Sequence, residues 1–423
     1  MGLTHFSFRS LKLPVVILIL FSAFLPTLFS PIASGFSVLG NMAHSSNQNT
    51  SGQVSASNAE VTLTSPNAQQ DGYFGTVAVS GDIVVVGAHG ENSSGVQDAG
   101  RAYALNATTG KLITTLLNPY PQAADDYGEA VAVSGDIAVV GAPLWGDPQG
   151  SNTGQAYVYS ASSGKLLSVL SSPNAQIDGY FGWSVAVNGN VAIVGAYGEG
   201  VDGNAFAGHA YAFDAKTGSL ISTFTSPNAQ FGGSFGTSVA ISGKIVVIGA
   251  PYETGKGEYE AGHAYTFNTH SGKLIKTLTS PHAKEYGAFG YSVGISGSLM
   301  IISASGIAGE DKVYSFNSST GALISTITDP NSPRGFGWSV AIGGNTAIVG
   351  APFETINGSV QAGHAYTFNA ITGKLESTFS SPDVQAYGYF GLSVSASVQI
   401  DVVGAVNMTA DGYVGAGQAF LFS

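Results

Sequence analysis

Short apolar runs separated by glycine turns cover most of this chain. The stretch FGWSVAVNGNVAIVGA at Phe181–Ala196 has relatives before and after it, spaced by 53 or 54 residues except for one interval of 47. The seven copies begin at Phe74, Tyr127, Phe181, Phe235, Phe289, Phe336 and Phe390. A repeat of about this length that is rich in short strands is typical of propeller blades and not of helical solenoids.

Each copy divides into four predicted strands. The first is small and apolar, as in SVAV, and a tight glycine turn leads to a second that is apolar almost throughout, as in KIVVIGA. A longer loop precedes the third strand, as in GHAYTFN, and a turn through TG or SG precedes the fourth, as in KLIKTL. None of these segments has helical periodicity. The pattern predicts an all-β, seven-bladed propeller of four-stranded antiparallel blades.

The two ends of the repeat region predict how the ring closes. The seventh copy ends at Ser423, directly after its third strand. The missing fourth strand has a counterpart at the front, because VTLTSPNAQ at Val61–Gln69 matches KTLTSPHAK at Lys276–Lys284. An N-terminal strand that completes the last blade would close the ring and remove two exposed edges.

The residues before the first copy predict export. Arg9 and Lys12 precede an apolar run over residues 13–29, and small residues follow it, which is the arrangement of a secretory signal. A retained anchor is the alternative, although the run is slightly short for a membrane span. The next stretch is rich in Ser and Asn and predicts a flexible linker. We therefore expect a signal peptide or anchor at 1–34, a linker at 35–59 and the propeller at 60–423, in a secreted or cell-surface protein.

Composition narrows the possible partners. The formal net charge is −12, only 9% of residues are charged, and the fourteen Lys and Arg form no cluster along the sequence. A nucleic-acid partner is therefore not expected. Cysteine is absent, which excludes disulfides and thiolate metal sites. We expect a monomer that does not insert into membranes beyond its N-terminal segment.

Two of the copies carry a resemblance to a known family. FGTSVAISGKIVVIGAP at Phe235–Pro251 and FGWSVAIGGNTAIVGAP at Phe336–Pro352 resemble the FG-GAP repeat of integrin α-chain propellers and microbial surface proteins. The resemblance extends over Val61–Ser423 and implies extracellular adhesion to a protein or glycan. Integrin-type repeats often hold calcium in an acidic loop between the first two strands. Every copy here has a two-residue turn instead, so calcium is not expected at that position.

The propeller topology predicts which surface binds a ligand. The loops between the second and third strands lie on the same face as the linkers between blades, and they are long and differ in sequence. The candidate contact residues in these loops are Glu91, Trp145, Glu199, Tyr252, Glu253, Phe353 and Glu354. The glutamates could instead hold the loops by accepting hydrogen bonds, or bind calcium with loop aspartates. The aromatic residues could instead cover blade edges.

A recurring histidine raises the question of metal binding. His209, His263 and His364 occupy one position of the third strand, as in AGHAYTFN. Arg101 and Lys312 fill the same position in other copies, and neither offers a free lone pair to a metal. The histidines are therefore predicted to be structural.

The sequence contains no recognisable catalytic motif. Neither G-x-S-x-G, H-E-x-x-H nor a phosphate-binding loop is present, so we expect a non-catalytic binding or adhesion protein without a cofactor. Two alternatives remain. One is a structural component of the cell envelope. The other is a quinoprotein dehydrogenase, because GRAYALNATTGKLITTL at Gly100–Leu116 resembles the strand pair of those propellers, although the Trp that usually follows the fourth strand is missing.

Overall fold

The computed structural model describes residues 56–57, 59, 61–146, 151–306, 311–331 and 335–423. These residues form twenty-nine β-strands in seven sheets, arranged as the seven predicted blades. They include no helix, and so none that could cross a bilayer. The predicted signal or anchor, and the predicted linker apart from three of its residues, lie outside the described part of the chain.

Each blade is a four-stranded antiparallel sheet whose strands we letter a to d from the propeller axis outward. Blade 1 contains β3 (Phe74–Ser80), β4 (Ile83–Ala88), β5 (Arg101–Asn106) and β6 (Leu112–Leu116). Blade 2 contains β7 (Val131–Ser134), β8 (Ile137–Ala142), β9 (Gln155–Ser160) and β10 (Leu166–Leu170). Blade 3 contains β11 (Ser184–Asn188), β12 (Val191–Ala196), β13 (His209–Asp214) and β14 (Leu220–Thr225). Blade 4 contains β15 (Val239–Ser242), β16 (Ile245–Ala250), β17 (His263–Asn268) and β18 (Leu274–Thr279).

The remaining blades follow the same order. Blade 5 contains β19 (Phe289–Ser296), β20 (Leu299–Ala304), β21 (Lys312–Asn317) and β22 (Leu323–Thr328). Blade 6 contains β23 (Val340–Gly343), β24 (Thr346–Ala351), β25 (His364–Asn369) and β26 (Leu375–Phe379). Blade 7 contains β27 (Ser393–Ala396), β28 (Asp401–Ala405) and β29 (Gln418–Phe422), and its strand d is β2 (Val61–Thr64).

The predicted closure of the ring is confirmed. Strand β2 pairs antiparallel with β29, with Val61 opposite Leu421, and the side chain of Leu63 is buried in the core. A second N-terminal strand, β1 (Ala56–Ser57), pairs in parallel with β26 at the outer edge of blade 6. The end of the segment predicted as a flexible linker therefore belongs to a sheet.

The hydrophobic core is divided among the seams between blades. Each of seven apolar clusters joins two neighbouring blades, and the Phe of the repeated FG pair is fully buried in every blade that has one, such as Phe235 beside Tyr265. A Cβ on Gly249 would lie 1.9 Å from the carbonyl oxygen of Gly290 in the next blade. The equivalent distance from Gly195 to Gly236 is 2.1 Å. The Gly of the GA pair at the end of strand b is therefore required, because the backbones of neighbouring blades touch at this point.

Hydrogen bonds between strand-a ends also join the blades. The Oγ of Ser134 accepts a hydrogen bond of 3.0 Å from the backbone N–H of Gly189 in the next blade. Five consecutive seams have this contact, from blade 1 to blade 6. The glycine turn of blade 2 is Gly135–Asp136, which leaves Ser134 at the strand end where it can accept this bond.

Candidate ligand-binding face

The propeller has two unlike faces. We call the surface formed by the b–c loops and the linkers between blades the long-loop face, and the surface formed by the a–b and c–d turns the turn face. Within the described residues, the loops and linkers of the long-loop face contain eighteen acidic side chains and two lysines. This face therefore carries most of the negative charge of the propeller.

The long loops share one backbone conformation despite their different sequences. Five of them reverse direction at a residue followed by glycine, both with positive φ, as at Lys256 (52°) and Gly257 (84°). The five pairs are Ser94-Gly95, Asp202-Gly203, Lys256-Gly257, Asn357-Gly358 and Asp411-Gly412. Paired positive φ values define a type I′ turn, and a two-way backbone bridge flanks each one, such as Gly255 with Glu258. In all five loops, the glycine of the turn stands five residues before the Gly of the AG pair that precedes strand c. This constant spacing is the sequence signal for the hairpin.

The hairpins of blades 3, 4, 6 and 7 are also bound to the linker that follows each blade. Between blades 4 and 5, the N–H groups of Tyr286, Ala288 and Phe289 donate to the carbonyls of Tyr259, Glu260 and Ala261 at 2.8, 3.1 and 2.9 Å. Between blades 6 and 7, the same contact joins Tyr387 and Val360 at 2.8 Å. The loop tips are therefore held rigidly, with only their side chains differing between blades.

The four candidate glutamates are buried beneath this surface. Glu91, Glu199, Glu253 and Glu354 are at most 2% exposed. In blade 4, Glu253 accepts hydrogen bonds from the hydroxyls of Ser226 and Tyr265, and from Asn228 at 3.4 Å. Ser226 and Asn228 belong to the linker and Tyr265 to strand c. The carboxylates thus hold loop, linker and strand together through side-chain donors, not through the backbone N–H groups that the sequence suggested.

The recurring histidines belong to the same clusters. Nδ1 of His209 lies 3.1 Å from Glu199, and Nδ1 of His263 lies 3.1 Å from Glu253. His364 contacts Glu354 in the same way, and in blade 1 Nε of Arg101 lies 3.9 Å from Glu91. A cationic or proton-donating side chain therefore faces each buried carboxylate. This explains why Arg can replace His at that position. Among the described residues, no three acidic or histidine side chains are grouped so as to hold a metal ion.

Blades 2 and 7 use apolar residues at the glutamate position. The carbonyl of Trp145 accepts from Gly154 at 2.8 Å, as the carbonyl of Glu253 accepts from Gly262 at 2.9 Å. Trp145 is half-buried and packs against the core between blades 1 and 2. In blade 7 the position is taken by Met408, which is buried.

The other two candidates, Tyr252 and Phe353, lie in a group of half-buried or buried rings around the mouth of the axial channel. Trp183 directly precedes β11, Trp338 lies two residues before β23 and Tyr291 is the third residue of β19, which places these rings at the long-loop end of strand a. The ring of Phe353 is 4.9 Å from that of Trp338, which is 5.1 Å from Tyr291. Burial raises the pKa of Tyr252 to about 12. The group, which we call the rim aromatics, comprises Tyr180, Trp183, Tyr197, Tyr252, Tyr291, Trp338, Phe353 and Tyr389.

Blades 1 and 2 contribute charged groups to this mouth instead of rings. Nδ1 of His89 lies 3.2 Å from Glu129, and the His89 ring stacks on Tyr73. Burial raises the pKa of Glu129 and of Asp126 to about 7, and lowers the pKa of His89. The axial channel below has a volume of about 240 Å³ and is lined by Val, Ala, Ile and Gly of the a strands with Ser395. The lining residues offer no acid or base for catalysis.

Exposed apolar side chains form a further ring on the long-loop face, outside the candidates named from sequence. Seventeen large apolar side chains are exposed within the described residues, and ten of them lie on this face. We call these ten the crown: Leu117, Tyr120, Ile177, Phe231, Tyr259, Tyr286, Val360, Tyr387, Tyr413 and Val414. Their sequence signal was weak, because they stand at hairpin tips and in linkers where no motif marks them.

The geometry defines a class: a closed seven-bladed repeat propeller that presents rigid hairpins on one face. A family model described as FG-GAP repeat matches residues 58–105, 116–159, 168–213, 219–267 and 326–368, more than half of the chain. The chain belongs to the FG-GAP repeat family. The matches include blades 1, 2, 3, 4 and 6; in blade 5, which is not matched, Ser303 replaces the seam glycine. No curated protein matches the chain.

Proposed function

We propose that this protein is an exported, non-catalytic adhesion or binding module that recognises a protein or glycan through the crown. The observation that supports the proposal is the concentration of exposed apolar side chains on a rigid, acidic face. Monomeric soluble proteins seldom expose large contiguous apolar patches without a partner. Aromatic side chains such as Tyr259 and Phe231 are also enriched where proteins contact ligands.

The rigidity of the hairpins supports recognition in a second way. A loop that is already ordered loses little conformational entropy when a ligand binds. Because segments 200–206 of blade 3 and 254–260 of blade 4 are both seven residues long and carry the turn at the same position, they can be exchanged without altering the turn. The exchange changes the surface while it keeps the glutamate clusters intact.

The test combines this exchange with a truncation of the crown. Binding to immobilised oligosaccharides and to immobilised cell-surface proteins would be measured for the exchange variant and for the triple variant F231S/Y259S/Y286S. We expect the triple variant to lose at least tenfold in affinity, because exposed aromatic anchors dominate binding energy. The matched control is L323S/I371S/V398S, which removes three exposed apolar side chains from the turn face. Equal affinity of the crown variant and the control would refute the assignment to the long-loop face.

A further inference from the structure

The turn face has the opposite electrostatic character. Six of its turn residues are lysines, and all six are exposed: Lys111, Lys165, Lys216, Lys244, Lys273 and Lys374. The turns contain only two acidic residues in the described chain, Asp82 and Asp136, with Asp214, Glu376 and Asp401 at adjoining strand ends. The net charge of this face is therefore positive, on a protein whose total charge is −12.

The fold brings these lysines together. Lys111, Lys165 and Lys273 each stand directly before the first residue of strand d in their blades. They are 54 residues or more apart in the sequence, and each is separated from the others by acidic residues of the long-loop face. The repeat places them on one side of the disc, and for this reason no basic stretch is visible in the sequence.

Exposed leucines accompany the lysines. The first residue of strand d is Leu112, Leu220, Leu274 or Leu323 in four blades, with 43–47% of each side chain exposed. All seven exposed large apolar side chains that lie outside the crown are in the turns or in the first two residues of strand d. Leu112 and Leu274 directly follow Lys111 and Lys273, so these two blades present an exposed apolar side chain and an exposed lysine to the same partner.

We propose that the turn face rests on an anionic lipid bilayer. Lysine ammonium groups attract the phosphates of anionic lipids, and adjacent leucines contact the boundary between headgroups and acyl chains. A soluble polyanion would use the lysines but not the leucines, so the combination favours a bilayer. The acidic long-loop face is repelled by the same surface, which orients the disc with the crown pointing away from the lipid. The contact is peripheral and does not depend on the ligand proposed above.

The experiment reports on each face separately within the full chain. Because the protein has no cysteine, a single one can be introduced and labelled with an environment-sensitive fluorophore. T108C labels a c–d turn, and T355C labels an exposed position on the long-loop face. The probes are vesicles of phosphatidylcholine alone or with 30% phosphatidylglycerol. We expect a blue shift for the T108C label with anionic vesicles only, and none for the T355C label.

Charge variants test the cause of the shift. K165E/K273E should weaken binding to anionic vesicles at least 20-fold, because each surface lysine contributes about fivefold. K256E/K284E, on the long-loop face, changes the net charge equally and should leave binding within about twofold, since its lysines do not reach the lipid. L220S/L274S should weaken binding a few-fold while its salt dependence stays the same.

Several results would overturn the proposal. An equal shift of the T108C label with neutral vesicles would show that the N-terminal segment, not the lysines, brings the disc to the lipid. A shift of the T355C label would show that the long-loop face, not the turn face, contacts the lipid. A shift with soluble polyphosphate that matches the shift with vesicles would make the partner a polyanion. If K165E/K273E and K256E/K284E lost binding to anionic vesicles equally, the net charge of the protein, and not the turn face, would explain the binding.

Discussion

Blades 4 and 7 have the same four-stranded architecture but different internal chemistry. In blade 4, Glu253 is buried among hydroxyl and amide donors, with Nδ1 of His263 3.1 Å away. In blade 7 the equivalent position is Met408, and Phe420 replaces the tyrosine whose hydroxyl would donate. The hairpin above each cluster has the same type I′ turn. The loop conformation therefore does not require the carboxylate, and a polar or an apolar cluster can support it.

The two blades also differ in how they are assembled. Blade 4 is continuous in sequence, and its a–b connection is the two residues Gly243–Lys244. Blade 7 takes strand d from the N-terminus, and its a–b turn at Val398–Gln399 contains no glycine. Blade 7 also has a half-buried carboxyl group, Asp401, where blade 4 has Val246. The divergence is concentrated in the blade that closes the ring.

The largest expected effect comes from removing the strand that closes blade 7. Deletion of Val61–Thr64 should destabilise the protein by more than about 5 kcal/mol, because it exposes the edge of β29 and removes Leu63 from the core. L63A keeps the strand and should cost about 2–5 kcal/mol. Denaturant unfolding followed by circular dichroism measures both. Deletion of residues 45–48 is the control, and an unfolding midpoint as low for the control as for the latch deletion would contradict the role assigned to β2.

The next effect tests whether the two clusters are interchangeable. E253M in blade 4 leaves the hydroxyls of Tyr265 and Ser226 without their shared acceptor and removes the carboxylate that faces His263, and it should cost about 3–4 kcal/mol. The triple variant E253M/H263Q/Y265F reproduces the residues of blade 7 and should cost about 1–2 kcal/mol, because fewer buried donors remain unpaired.

The reciprocal change is M408E in blade 7. It buries a carboxylate beside Phe420, which has no hydroxyl to donate, and should cost about 3 kcal/mol or more. Chemical denaturation at pH 7 measures all three variants. If E253M and the triple variant were equally unstable, the paired substitutions in blade 7 would not be compensating for one another.

A pH-dependent effect distinguishes Asp401 from its counterpart Val246. Burial and the charge of Glu376 raise the pKa of Asp401 from 3.8 to about 7. Since the folded pKa lies above the unfolded one, its stabilising contribution is complete below about pH 4 and is lost as the pH rises through 7.

D401N should therefore increase stability by about 1–3 kcal/mol at pH 8 and leave it unchanged at pH 4. Thermal unfolding between these pH values measures the difference. E376Q should give a smaller gain in the same direction, because it removes only the charge repulsion. A D401N gain that is the same at pH 4 and pH 8 would show that the effect does not arise from titration.

The repeat made most of this architecture predictable. The regular spacing of short apolar runs between glycine turns predicted the blades. The VTLT segment before the first copy predicted the strand that closes the ring. The sites were less accessible, because burial depends on neighbours from distant repeats. Glu253 stands in a polar, glycine-rich loop, yet donors from the preceding linker and strand c enclose it. The lysines of the turn face are likewise brought together by the fold alone.

The smallest effect concerns the hairpin tips, where blades 4 and 7 should behave alike. Gly257 and Gly412 both have φ of 84°, and a Cβ on either would meet open space. Alanine at each should cost about 1 kcal/mol, from backbone strain alone, and the two costs should agree within about 0.5 kcal/mol. G249A is the contrast, because its Cβ would collide with the backbone of the next blade. Urea denaturation compares the three variants. Unequal costs at the two tips would mean that the chemistry of the underlying cluster does affect the loop above it.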